Sequence, residues 1–332
     1  MFLLANICHG LNEHECRHLG HSDWLCDYMR DHGRNYSSVD ELHKRRDRLK
    51  HAKPYEYNGV KFGYTSRSDR FKHELRANNA LHTGSHHNVK RHKQQKHVSL
   101  GTGRSYPPID WRTYGRVTSV KDQGSCGGCF AFASATVLEY WSGTHPKSLS
   151  AQSLMDCTSG YGRPDAGCDG GLMEYVFEYA KSHPVPLEVD FPYRERLMTC
   201  KKRMLWSHVR VHQYRVLTRE EHPNAESQIE GLLHRYGPVA VGIDSTTMDN
   251  YKSGIFKASD CTTNIEHAVT IVGYTKNFWI IKNSWSDKWG VDGYLYLERG
   301  KNACGVAEYV VYVTHAQPYL GRETTVWSFT PT

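Results

Sequence analysis

Cysteine placement constrains this chain most. The ten cysteines are Cys8, Cys16, Cys26, Cys126, Cys129, Cys157, Cys168, Cys200, Cys261 and Cys304, three before residue 105 and seven after it. Seven is odd. Three disulfides and one remaining thiol use them all, and a leftover thiol in an oxidising compartment points to reactivity. Charge divides at the same place. The first 104 residues hold 19 basic and 11 acidic side chains, and the remainder hold 23 and 24. Histidine is concentrated likewise, with 13 of 21 in that first part. The later part therefore has no electrostatic support for nucleic-acid binding. With 39% hydrophobic residues the chain can bury a sizeable core, and no run approaches the ~18 apolar residues of a membrane-spanning helix.

Met1 to Cys8 is apolar but short and lacks a basic flank, so residues 1–22 read as an atypical signal or N-terminal extension. Residues 23–53 read as helical, with Trp24, Leu25, Tyr28 and Met29 at helical spacing, until Pro54 and the Asn58-Gly59 turn signal break the pattern. Residues 84–104 read as an exposed, basic tether open to proteases. A globular body begins near Tyr106. Cys129 to Trp141 is dense in Ala, Phe, Val and Leu and predicts a buried helix, entered through Gly127-Gly128. Strands are expected at Val239–Val241, His267–Val272 and Phe278–Ile281, with a turn at Lys276-Asn277. The chain thus divides into a mostly helical lobe (105–213), a β-rich lobe (214–315) and a loosely patterned tail (316–332).

A cysteine at a helix N-terminus feels the helix dipole and unsatisfied N–H groups, which favour the nucleophilic thiolate. A histidine can then complete an ion pair, and an asparagine can hold its imidazole. Cys129, His267 and Asn283 stand in that order. Cys126 and Cys129 by themselves fit a redox or zinc CxxC pair equally well. The stretch Gln123-Gly124-Ser125-Cys126-Gly127-Gly128-Cys129-Phe130, with Glu266-His267-Ala268 and Asn283-Ser284-Trp285, resembles the papain-like cysteine proteases, the papain and cathepsin L group.

The resemblance covers residues 106–315 and implies an α+β fold of two lobes with a cleft between them. It implies that Cys129 is the nucleophile, His267 its partner and Asn283 the orienting amide. Gln123 completes the oxyanion hole, Trp285 shields the His–Asn bond, and Trp289 lies on the leaving-group side. It implies the disulfides Cys126–Cys168, Cys157–Cys200 and Cys261–Cys304. Gly170 and Gly171 would form a rim that binds extended peptide, and Met173, Gly242, Ile265 and Tyr309 would line an apolar S2 pocket. No insertion resembles the occluding loop of dipeptide-trimming relatives, so an endopeptidase is expected. No metal or cofactor is expected. The expected partners are protein substrates, the chain's own prosegment and cystatin-type inhibitors of a monomer, secreted or lysosomal.

Three departures stand beside these residues. Phe130 replaces the usual Trp, Gly128 replaces Ser or Ala, and Ser286 stands where Gly follows Asn-Ser-Trp. They keep open a weak or inactive homologue that only binds. Residues 23–104 resemble an inhibitory prosegment with its activation linker. Glu41 and Arg45, four apart, keep part of one helical motif, in which Leu49 stands at the Phe position and Ala52 replaces Asn. Gly63 and Asp69 are the kept ends of a second, which has lost its Asn and Phe. Cleavage is expected within 97–106. The histidines suggest loosening of this segment on acidification. Metal binding by His14, Cys16, His18, His21 and Cys26 is the rival reading, at irregular spacing. Asn35-Tyr36-Ser37 is a glycosylation sequon consistent with secretory passage.

Overall fold

A computed structural model describes residues 10–78, 81, 106–158, 167–200 and 207–319. Eight helices lie in it, from α1 (Glu13–His18), α2 (Asp23–Asp31), α3 (Val39–Leu49) and α4 (Lys72–Asn78) to α5 (Cys129–Tyr140), α6 (Ala151–Thr158), α7 (Met173–Ser182) and α8 (Ala225–Tyr236). The strands begin with β1 (Tyr55–Tyr57), β2 (Val60–Phe62), β3 (Ile109–Asp110), β4 (Val185–Pro186), β5 (Ser207–Thr218) and β6 (Val239–Ile243). They continue with β7 (Tyr251–Ser253), β8 (Ile255–Phe256), β9 (His267–Tyr274), β10 (Phe278–Lys282), β11 (Tyr294–Glu298) and β12 (Tyr309–Pro318).

The N-terminal segment has a small core of its own, in which Leu11, Cys16, Leu25, Cys26, Tyr28, Met29, Tyr36, Leu42 and Leu49 pack together. The helical reading of 23–53 is corrected here to two helices. His32 caps α2, Gly33 turns the backbone at φ +59°, and α3 starts anew from Ser38, whose side chain accepts from the Glu41 N–H. Cys16 is bonded to Cys26. The metal alternative fails on that bond, because those two sulfurs are not available as thiolates. The same bond joins α1 to α2 across the expected boundary at residue 22.

Three acidic residues tie this segment together. Arg45 pairs with Glu41 on its own helix and, through its other nitrogens, with Glu74. The buried Asp69 accepts from the hydroxyls of Tyr28 and Tyr36 at 2.9 and 3.0 Å and faces Arg34 at 3.1 Å. Asn58 and Gly59 both adopt positive φ, which lets β1 and β2 close as a two-residue hairpin. That hairpin adds to β7 of the body, giving a three-stranded sheet in the order β1-β2-β7.

The body has two cores. In one, α5, α6 and α7 pack together; in the other, α8 packs with a large sheet. That sheet runs β4-β5-β12-β6-β9-β10-β11-β8, with β3 on β9, and is antiparallel except between β8 and β11. The disulfides Cys126–Cys168 and Cys157–Cys200 tie the helical part, and Cys261–Cys304 ties the sheet part. These are the three pairs that the resemblance implies. Cys126 is therefore not paired with Cys129, which removes the CxxC reading.

Two boundaries need correction. β5 runs unbroken through the expected lobe division at 213, and β12 continues into the expected tail as far as Pro318, opposite Val209. β12 is hidden in sequence for a plain reason. Val310, Val311, Tyr312 and Val313 are all buried, so the apolar–polar alternation that marks a half-exposed strand is absent.

Candidate active site

Helix α5 is buried all round from Cys129 to Glu139, as its mostly apolar and small-residue composition allows. It packs across β9, where Thr270 Oγ1 donates to the Ala133 carbonyl at 3.0 Å. That crossing sets Ala133, four residues into the helix that Cys129 opens, against Thr270, three residues into the strand that His267 opens. Cys129 is buried and stands outside the disulfides. Gly128 caps the helix at φ −78°. A Cβ there would sit 3.3 Å from Met155 Sδ and 3.6 Å from the Tyr193 hydroxyl, so the cap is close-packed.

Strand β10 delivers Asn283 one residue beyond its end. The Asn283 Oδ1 lies 2.8 Å from His267 Nε2 and also accepts the Ser284 N–H at 2.8 Å. An oxygen that already accepts from a backbone amide must accept from the imidazole as well. Nε2 therefore carries the proton, and Nδ1 is the basic nitrogen. Nδ1 has no hydrogen-bond partner and is buried. The Trp285 indole stacks on His267 with ring centres 4.7 Å apart, and Trp289 packs edge-on against Trp285. Trp289 is anchored by donation from its Nε1 to the Met248 carbonyl at 3.0 Å.

Gln123 is fully buried and held at both ends of its amide. Its Oε1 accepts from Ser284 Oγ at 2.6 Å, and its Nε2 donates to the Cys126 carbonyl at 3.0 Å. Ser284 thus contacts both Asn283 and Gln123, a bridging role that its place in Asn283-Ser284-Trp285 does not by itself reveal. Tyr193 and Glu195, also unforeseen, clamp the same turn: the Tyr193 hydroxyl donates to the Gln123 carbonyl at 2.9 Å, and a Glu195 carboxylate oxygen accepts the Ser125 N–H.

Of the expected substrate-binding residues, Met173, Tyr309 and Ile265 meet in one apolar cluster with Ala268. Gly242 adjoins them, since a Cβ there would fall 2.8 Å from Ile265 Cδ1. Gly171 lies against the Phe130 ring, where a Cβ would approach to 2.7 Å, and Gly170 takes φ +112°. The residue that fills this place is Leu81. Its side chain reaches the same Gly242 position at 2.8 Å, its N–H donates to the Glu266 carbonyl at 2.8 Å, and it forms a parallel bridge with Gly171.

A second residue of the N-terminal segment enters beside His267. The Arg67 guanidinium lies 3.7 Å over the Trp285 ring centre, its Nε is 2.8 Å from Asp249 Oδ1, and its side chain is 3% exposed. Burial, opposed by the Asn283 bond and reinforced by the Arg67 charge, pushes the His267 imidazole down to about 3. The imidazole is consequently neutral while the segment is docked. The neighbouring Glu266 carboxyl is pushed up to about 7, chiefly by burial.

Fold and site together define a papain-like peptidase whose own N-terminal segment packs through Arg67 and Leu81 beside His267. The model described as papain family cysteine protease matches residues 107–314, and the chain belongs to that family. Cathepsin 7 of Mus musculus is 34% identical over 233 residues, covering 65% of this chain and 68% of the relative. Cysteine proteinase 15A of Pisum sativum is 38% identical over 244 residues, covering 67% and 66%. Among solved structures, digestive procathepsin L 3 of the Tenebrio molitor larval midgut superposes with a TM-score of 0.77 at 28% identity, covering 88% of this chain and 98% of that one. The recombinant stem bromelain precursor gives 0.74 at 29% identity, covering 87% and 96%. Both are named as precursors, and their cover of this chain extends well beyond the matched peptidase residues.

Proposed function

We propose that this chain is the zymogen of a cysteine endopeptidase acting through Cys129, His267 and Asn283. The observation that carries the reading is the doubly donated Asn283 Oδ1, which assigns the proton to Nε2 of His267 and leaves Nδ1 as the base. Once the N-terminal segment leaves, Nδ1 takes the thiol proton of Cys129. The thiolate attacks the scissile carbonyl, and its oxyanion is met by the Cys129 N–H and by Gln123 Nε2. His267 then returns the proton to the leaving amine as the C–N bond breaks. Water, deprotonated by the same nitrogen, hydrolyses the thioester and restores the thiol.

Segment 23–104 is read as the intramolecular inhibitor. Leu81 in the apolar cluster supports an S2 pocket of Met173, Gly242, Ile265 and Tyr309 that takes aliphatic or aromatic side chains. The neutral His267 supports a blocked Cys–His ion pair. The disulfides support passage through an oxidising compartment and an endolysosomal or secreted destination. Among the described residues no helix is long and apolar enough to cross a membrane. The working form is taken as a monomer open to cystatin-type inhibitors.

The test is hydrolysis of fluorogenic peptides varied two residues before the cut, after acid activation. Leu or Phe there should exceed Arg, and Cys129→Ala or His267→Ala should abolish turnover. A strong Arg preference refutes the assigned pocket, and turnover by Cys129→Ala refutes the nucleophile.

A further inference from the structure

Resting on that reading, we infer that Asp249 and the Trp285 indole form a subsite for a basic side chain, arginine above all, on the leaving-group side of the scissile bond. The structure holds such a side chain in place. Arg67 lies flat over the indole and pairs with the carboxylate, combining a cation–π contact with an ion pair in one desolvated position. Three neighbours in the sequence hold it there against the same body residues. Thr65 Oγ1 donates to the Asp249 carbonyl at 2.6 Å, Ser66 Oγ to the Trp285 carbonyl at 2.9 Å, and Ser68 Oγ to Asn250 Oδ1 at 2.7 Å.

The side of the cleft follows from the chemistry. His267 gives its proton to the leaving amine, and Trp285 stacks on His267. Leu81, in the pocket of Gly242, marks the other side. Removing the segment leaves an indole without its stacked cation and a carboxylate without its partner. Asp122, bridged to Trp285, adds a second negative charge that also favours a cation at the Arg67 position. Arg70 of the segment opposes it and leaves together with Arg67, and the Lys288 ammonium on the loop after Trp285 is occupied by the Asp31 carbonyl of the segment. A planar guanidinium can stack and pair at once, which an ammonium cannot.

Two measurements decide the matter. The first uses the full chain activated in acid, with quenched peptides sharing one acyl half and carrying Arg, Gln or Glu at each of the first three leaving-group positions. At one of these positions kcat/KM for Arg should exceed that for Gln at least about tenfold, and Asp249→Asn should compress that ratio toward one. A ratio near one in the parent, or one that Asp249→Asn leaves intact, overturns the inference.

The second needs no turnover. Titration of L-argininamide into the unprocessed Arg67→Ala chain should show saturable binding, absent from the parent and lost in Arg67→Ala/Asp249→Asn. Failure to bind Arg67→Ala, or equal binding by the double variant, overturns the inference. If no peptide is cleaved at all, the catalytic reading has failed and the argininamide titration still judges the subsite. If Arg67→Ala does not fold, the peptide series judges it.

Discussion

His32 sits at the seam between the N-terminal segment and the peptidase body, and its titration should set the pH at which the two separate. It caps α2, its ring packs on Tyr28, and its Nδ1 is buried without a hydrogen-bond partner. Around it stand Arg34 of the segment and Lys252 and Lys288 of the body, opposed by Asp69. Burial first, and these cations second, push the imidazole down to about 4. A basic group with a lowered docked value contributes fully to docking above its ordinary value near 6.5. That contribution is lost as pH falls from about 6.5 toward about 4. At pH 5 this proton linkage shifts the docking equilibrium by about 30-fold, or about 2 kcal/mol. Solvent screening of the partly exposed ring reduces this to about 1 kcal/mol, or about fivefold.

The assay is the rate at which a thiol-directed peptidyl epoxide labels the intact chain at fixed pH. His32→Gln should slow labelling about five- to 30-fold at pH 5 while matching the parent above pH 7. Superimposable profiles for the two chains would refute the reasoning, because the seam would then carry no proton linkage through this ring.

Other consequences are equally direct. Ser286 takes φ +74°, so Ser286→Gly should raise the unfolding free energy by about 1 kcal/mol, read from the denaturation midpoint. Cys16→Ser with Cys26→Ser opens a loop of 10 residues and should weaken the segment's own fold by about 2–3 kcal/mol, seen as faster proteolysis of residues 10–78. Gln123→Ala should cost about 100- to 1,000-fold in kcat with little change in KM, since its amide is asked to act on the oxyanion alone. Gly171→Ala drives a methyl group to 2.7 Å from the Phe130 ring, and should reduce activity and stability together.

What could be read from the sequence was local. Cys129 lies in a stretch whose glycines and apolar density declare a helix entry, and His267 and Asn283 begin and follow strands marked by apolar runs. The odd count of body cysteines fitted the three disulfides seen. What could not be read was carried by contacts between distant residues. Arg67 meets Asp249 across 182 positions, and nothing near Asp249 announces a carboxylate beside an indole. Arg67 itself stood in plain view, in the motif that had lost its Phe, but a missing aromatic reads as decay until the guanidinium is seen stacked on Trp285. Leu81 is a single apolar residue at the start of a polar stretch and gains meaning only from Gly242 and Gly171. The helix break at Gly33 was missed because the charged stretch beyond it is itself helical. Burial of Tyr309 to Val313 erases the periodicity that would mark β12, whereas β5 does alternate, with Val209 and Val211 buried and Arg210 and His212 more exposed.

The most direct measurement of the central claim is mass mapping of the residue modified by an irreversible peptidyl epoxide, before and after acid removal of the N-terminal segment. The account predicts a single adduct on Cys129, formed far faster after that removal than before it and abolished by Cys129→Ala. An intact, folded body freed of the segment that takes no label on Cys129, or takes it elsewhere, would contradict it.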